Sequence, residues 1–194
     1  MQRGQDTSHT VAAIVLAAGS SSRMGGGRHK LLLPLGERPV IHHVLETLLA
    51  SRARPVIVVV GHQADKIRAA IADRVAQGMV SIIENPAYLQ GMSTSIHMGV
   101  SELMKDERQA HAVSGALIML GDQPLMTPRV IDKLIEQKAV TGKRIIAPLY
   151  DGKRGNPVVF DASLFSELLT VGGQDRLRMK LHAHHVIPLH RSTE

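Results

Sequence analysis

The 194-residue sequence contains no cysteine and no tryptophan, and only two tyrosines and two phenylalanines. The missing thiols exclude disulfides, thiolate metal centres and a cysteine nucleophile. The scarcity of aromatic rings leaves little for nucleobases to stack on, which argues against a single-stranded nucleic-acid platform. Nowhere do eighteen apolar residues follow one another, so no transmembrane helix is expected, and the polar stretch from Met1 to Thr10 lacks the apolar core of an export signal. These absences lead us to expect a cytoplasmic protein with neither a membrane nor a nucleic-acid partner. What the chain does carry is positive charge: 23 Lys and Arg against 17 Asp and Glu, a net charge of +6. That excess suits phosphorylated small molecules.

The length suits one well-buried domain. We place it at residues 11–194, behind a disordered tail at 1–10. Apolar, β-branched runs recur at Val11 to Leu16, Val56 to Val60, Val80 to Ile83, Ala116 to Leu120 and Arg144 to Ala147. Between most of them lie stripes at helical spacing: Val40, Ile41, Val44, Leu45, Leu48 and Leu49, then Ile67, Ala70, Ile71 and Val75. A further helix is announced by Thr127 as N-cap and Pro128 in the first turn, with Val130, Ile131, Leu134 and Ile135 on one face. The alternation predicts a Rossmann-like, three-layer α/β domain with a mostly parallel sheet covered on both faces. After Tyr150 the pattern changes to a turn at Asp151-Gly152, a strand over Pro157 to Phe160, a helix from about Ala162 and a His-rich end. This reads as an antiparallel excursion that caps the pocket.

The first apolar run ends in Leu16-Ala17-Ala18-Gly19-Ser20-Ser21-Ser22, with Arg23 and Lys30 close behind. Small residues there would let a ligand's phosphates reach the backbone N–H groups, and the two cations would supply charge. In an open α/β sheet, ligands bind at the carboxyl ends of the strands. The loop is neither a Gly-Lys-Ser/Thr P-loop nor a three-glycine dinucleotide fingerprint; an ordinary strand-to-helix connection is the competing reading.

Three later polar clusters follow, the first two at the same sheet edge. Gly121-Asp122-Gln123-Pro124 follows the fourth apolar run, and Asp122 there can hold Mg²⁺, which takes one or two carboxylates plus substrate phosphates; alternatively it caps a turn. Asn85-Pro86 through Gly91 to Ser93-Thr94-Ser95 leads into a helical stripe, with Ser93 or Thr94 as the N-cap and the helix N-terminus as an anion or base-edge surface. Arg154-Gly155-Asn156 precedes an apolar strand. Arg154 offers a phosphate clamp, Gly155 close approach and Asn156 an amide for a ring, against the alternative of a surface turn. His182, His184, His185 and His190 lack the spacing of a helical zinc site, and His42 and His43 are read as structural.

Taken in order, these blocks resemble the molybdenum cofactor cytidylyltransferase family, a branch of the guanylyltransferase-like nucleotidyltransferases. The resemblance spans about residues 11–160 and runs through Leu16, Gly19, Ser21, Arg23, Met24, Gly25, Lys30-Leu31-Leu32, Asn85-Pro86, Gly91, Ser93-Thr94-Ser95, Gly121-Asp122-Gln123-Pro124 and Gly155-Asn156-Pro157. It implies a fold of the nucleotide-diphospho-sugar transferase type and transfer of CMP from CTP to molybdopterin, giving the cytosine dinucleotide cofactor and pyrophosphate. Arg23, Lys30 and Asp122 would be catalytic, with Asp122 on Mg²⁺. Leu16, Ala17, Ala18, Gly19, Ser20, Ser21, Ser22, Asn85, Gly91, Ser93, Thr94 and Ser95 would bind the nucleotide, and Arg154, Gly155 and Asn156 the acceptor. A molybdenum hydroxylase is the expected recipient. Many relatives carry Gly-Asp-x-Gly-Ala-Arg where this chain has Gly172-Gly173-Gln174-Asp175-Arg176-Leu177-Arg178. That departure motivates two alternatives: a non-catalytic cofactor delivery protein, and a nucleotidyltransferase using GTP or another phosphorylated acceptor.

Overall fold

The structure is a computed structural model that describes residues 10–20, 29–105, 112–170 and, by their backbone, 185–188. The first strand is β1 (Thr10–Ala17), so Thr10 belongs to the sheet rather than to a tail. β1 pairs in parallel with β4 (Val56–Val60) on one side and β6 (Val113–Leu120) on the other, and β4 pairs in parallel with β5 (Ser81–Glu84). Two short strands, β2 (Pro34–Leu35) and β3 (Arg38–Pro39), form a separate antiparallel ribbon. The remaining strands are β7 (Ile145–Tyr150), β8 (Lys153–Arg154), β9 (Val158–Asp161) and β10 (His185–Pro188). The main sheet runs β10-β7-β9-β6-β1-β4-β5, with β8 paired to β7.

The period-two alternation of β1 divides the core into two layers. Val11, Ala13, Val15 and Ala17 face one cluster, while Ala12 and Ile14 face the other. The first cluster is closed by α1 (Val40–Ala50), through Ile41, Val44, Leu45 and Leu48, by α2 (Ala64–Ala70), and by α5 (Pro128–Thr141), through Ile131, Leu134 and Ile135. The second is closed by α4 (Met92–Lys105) and α6 (Phe165–Thr170). This is a three-layer α/β domain with a mostly parallel sheet.

Three details depart from the expectations. The second helical stripe breaks at Ile71, where α2 stops and α3 (Ala72–Ala76) starts; Val75 ends 37% exposed, while Arg74 takes the inward position, paired with Glu46 and Asp73. Helix α4 begins at Met92, so neither Ser93 nor Thr94 is its N-cap. The antiparallel strand β9 does not cap a pocket but enters the sheet between β6 and β7. At α5, Thr127 and Pro128 hold the positions read from the sequence, although the Thr127 side chain makes no capping bond.

Candidate functional site

A cavity of about 310 Å³ opens at the carboxyl ends of β1 and β6. Its floor is the register Leu16 against Leu120, extended by Gly121 N–H donating to the Leu16 carbonyl at 3.0 Å. Leu16 through Ser20 form one wall, with Ala17 and Ala18 buried beneath Gly19 and Ser20. His29, Lys30 and Leu31 form the second wall; Tyr88, Leu89, Gly91, Met92 and Ser95 form the third, opposite Leu120 and Asp122. Parallel pairing thus brings together segments from widely separated parts of the chain because each follows a strand pointing the same way.

Lys30 Nζ donates to Asp122 Oδ2 across this cavity, with side chains 40% and 34% exposed. The pair is wet enough to exchange partners, and its carboxylate is a hard oxygen donor of the kind Mg²⁺ takes. Among the described residues no group of three or more His, Asp or Glu gathers to hold a metal alone. The donor set therefore fits an ion that arrives with phosphate oxygens rather than one caged by protein.

The loop after β5 is built around Asn85, which is 1% exposed. Its Nδ2 donates to Thr94 Oγ1 at 2.8 Å and to Ser95 Oγ at 2.9 Å, and its Oδ1 accepts from Ala87 N–H at 3.0 Å. Thr94 in turn donates to the Gly91 carbonyl at 2.8 Å. These bonds explain why the hydroxyls do not cap α4: Asn85 has recruited them to brace the loop. Of the residues expected around the nucleotide, Leu16, Ala17, Ala18, Gly19, Ser20, Lys30, Gly91 and Ser95 line the cavity. Asn85, Ser93 and Thr94 instead line a second cleft with His97, Met98 and Leu169. Ser21, Ser22 and Arg23 lie outside the described residues, as do 172–178 and most of the His-rich end.

Arg154, Gly155 and Asn156 are not part of this cavity's lining. Arg154 is exposed on β8, and Gly155 packs on Tyr150, where a Cβ would stand 2.5 Å from ring atom Cδ2. The Asn156 carbonyl accepts from the Tyr150 hydroxyl at 3.4 Å. Burial pushes that hydroxyl's pKa up.

Six lining residues were not expected at the site, namely His29, Leu31, Tyr88, Leu89, Met92 and Leu120, and two of them, His29 and Tyr88, bring rings to it. Tyr88 is carried over the turn after β4, where Gly61 is required, since a Cβ there would lie 2.8 Å from Tyr88 Cβ and 2.9 Å from Ala18 Cβ. His62 follows Gly61; its N–H donates to the Ala18 carbonyl at 3.1 Å, and its ring lies between those of His29 and Tyr88, with centroids 5.9 and 6.0 Å away. A polar residue just ahead of the Leu31-Leu32-Leu33 run was the one available hint of His29.

Comparison with known proteins identifies the family to which this fold belongs. A family model described as "MobA-like NTP transferase domain" matches residues 13–187. The chain is similar to the bifunctional protein GlmU of Halorhodospira halophila, 36% identical over 125 residues, covering 64% of this chain and 24% of the relative. The chain thus spans about a quarter of the length of the curated relatives it matches. Among solved structures, Rv0371c from Mycobacterium tuberculosis superposes with a TM-score of 0.75 at 24% identity, covering 93% of this chain and 87% of that one, and its complex with manganese with a TM-score of 0.70 at the same identity and coverage. Molybdopterin-guanine dinucleotide biosynthesis protein A from Archaeoglobus fulgidus gives a TM-score of 0.63 at 17% identity, covering 92% and 83%. With nearly the whole described core inside the matched span, the chain belongs to the MobA-like NTP transferase domain family.

Proposed function

We propose that this chain transfers CMP from CTP to molybdopterin in the presence of Mg²⁺, producing the cytosine dinucleotide form of the cofactor and pyrophosphate, for use by a molybdenum hydroxylase. The observation that carries the reading is the convergence of the Ala17–Ser20 backbone, Lys30 and Asp122 on one cavity. Nucleotidyl transfer asks the protein chiefly for positioning and charge stabilisation, and these are the parts for it. An oxygen of the acceptor's terminal phosphate attacks the α-phosphorus of CTP; the bond from that phosphorus to the bridging oxygen breaks, and the electron pair leaves on pyrophosphate. N–H groups of the Ala18-to-Ser22 loop hold the phosphates, with Ala17 and Ala18 beside the base, and Arg23 and Lys30 neutralise the departing charge. Gly91 and Ser95 flank the nucleotide, with Asn85 and Thr94 bracing that wall, and the family resemblance assigns Ser93 to the nucleotide as well. Asp122 would hold the Mg²⁺, which supplies charge neutralisation at the phosphate oxygens. The family resemblance assigns Arg154, Gly155 and Asn156 to the acceptor.

A second reading keeps the chemistry and changes the base to guanine, favoured by the likeness to the Archaeoglobus protein named for molybdopterin-guanine dinucleotide biosynthesis. The test of both is to incubate the protein with Mg²⁺, molybdopterin and CTP, GTP or ATP in turn, and to measure pyrophosphate and the dinucleotide product. Turnover with CTP supports the first reading and turnover with GTP alone the second. Nucleotide or cofactor binding without pyrophosphate release would replace both with a delivery protein.

A further inference from the structure

His29 is only 3% exposed, yet its Nε2 is buried with no hydrogen-bond partner among the described residues. Among the described residues the only other such side-chain atom is Gln123 Oε1, which follows Asp122 at the end of β6. Buried polar groups are almost always paired, so two open ones at the same sheet edge call for an explanation tied to that edge. The proton on His29 is located by its other nitrogen: Nδ1 accepts the Leu31 N–H at 3.3 Å, which leaves Nε2 as the protonated donor of a neutral ring. Burial lowers the pKa of His29, with the field of His62 and those of Lys30 and Lys66 adding to the fall, so the ring stays neutral. The Gly19 backbone works against that fall, approaching the ring without closing a hydrogen bond of ordinary geometry. The His62 ring, stacked at 5.9 Å and 18° from parallel, holds the imidazole in place.

We infer that His29 is a positioning residue of the nucleotide site: its buried Nε2–H fastens the Gly19 carbonyl when a triphosphate fills the loop, presenting the Ser20 N–H to the phosphates. The inference rests on the nucleotidyltransferase reading. A trans peptide sends its C=O and the next N–H in opposite directions, so drawing the Gly19 carbonyl to the ring turns the Ser20 N–H away from it. The buried donor, without a partner among the described residues, is thus available to the Gly19 carbonyl.

Two variants separate the two ring nitrogens. His29→Asn keeps an acceptor for the Leu31 N–H but is too short to replace Nε2; His29→Gln reaches the Nε2 position with an amide N–H but gives up the Leu31 acceptor. The experiment titrates wild type and both variants calorimetrically with CTP, GTP and ATP in Mg²⁺ and records ligand-free melting temperatures, with ¹⁵N-histidine spectra of the wild type. The expected result is a crossed pattern: His29→Asn binds the preferred triphosphate about tenfold more weakly with an unchanged melting temperature, while His29→Gln melts lower but binds within about threefold of wild type. The wild-type Nε2–H signal should also shift, and its proton exchange slow, on adding the nucleotide. Wild-type binding with an unaffected His29→Asn overturns the role of His29 alone, as does affinity that merely tracks stability in both variants. A wild type that binds none of the three nucleotides overturns the nucleotide reading itself and this inference with it.

Discussion

Two lysine–aspartate pairs stitch distant parts of this chain together, and they differ in burial rather than in chemistry. Lys30 and Asp122 meet at the rim of the cavity, both more than a third exposed. Lys138 of α5 meets Asp161 of β9 at 3.0 Å, with the lysine only 7% exposed and the aspartate 30%. Asp161 Oδ1 also accepts the Ser163 N–H at 3.0 Å, so its carboxylate has a second reason to stay where it is. A wet pair contributes little to stability and can give up its partner to a ligand, whereas a lysine buried in the core has no alternative to the carboxylate it faces. Burial of the cation therefore separates a pair that can serve chemistry from one that holds the fold.

Removing the carboxylates one at a time tests that contrast most directly. Asp122→Ala should lower the rate of pyrophosphate release about a hundredfold or more, while its melting temperature stays within about 2 °C of wild type. Full Mg²⁺-dependent turnover in that variant would remove Asp122 from the metal assignment. Asp161→Ala should do the reverse, costing about 3 kcal/mol, or about 10 °C in melting temperature, because it strands a buried ammonium, with activity per folded molecule unchanged.

Acidification sharpens the same comparison. Burial pushes the Asp161 carboxyl upward, but hydrogen bonds from Ser163 and Lys138 and the Lys138 charge outweigh it and leave the group below its ordinary value. A carboxylate lowered on folding stabilises above its unfolded pKa of about 4, and this contribution fades as pH falls through the lower folded value. Wild-type urea midpoints should fall in that acid range, and Asp161→Asn should flatten the same part of the curve. The smallest expected effect belongs to Asn85→Ala, which frees the Thr94 and Ser95 hydroxyls and should cost about 1–2 kcal/mol, with a several-fold rise in the nucleotide KM, read by melting and steady-state kinetics. An unchanged KM would detach that brace from the cavity.

The parallel core was legible in the sequence because β-branched runs and helical stripes are local signals, and parallel pairing then places every strand-end loop at one edge. That Lys30, Asp122 and the Ala17–Ser20 stretch meet at one cavity could be read for the same reason. What escaped depended on contacts between segments. Asn85, Ser93 and Thr94 have the chemistry of ligand contacts, but whether an amide faces a ligand or two nearby hydroxyls is decided by how the loop folds back on α4. The break at Ile71 escaped because the apolar spacing continues through it, and only Arg74 turning inward to Glu46 shows the change of axis. His29 was hidden because no pattern of residue types reveals which ring nitrogen will be buried without a partner.

The position of β9 has a consequence for how the sheet is held together. β7 and β6 follow each other in sequence but do not pair; β9, contributed later by the chain, runs antiparallel to both. The ladder of β7, β8 and β10 is therefore moored to the remaining described strands through this one four-residue segment, by four residue pairs toward β6 and two toward β7. The pairings around β1 need only residues up to 120, while the outer ladder depends on a single strand contributed later in the chain. The Lys138–Asp161 pair sits at the end of that strand, a rivet at the seam between the β1 core and the outer ladder.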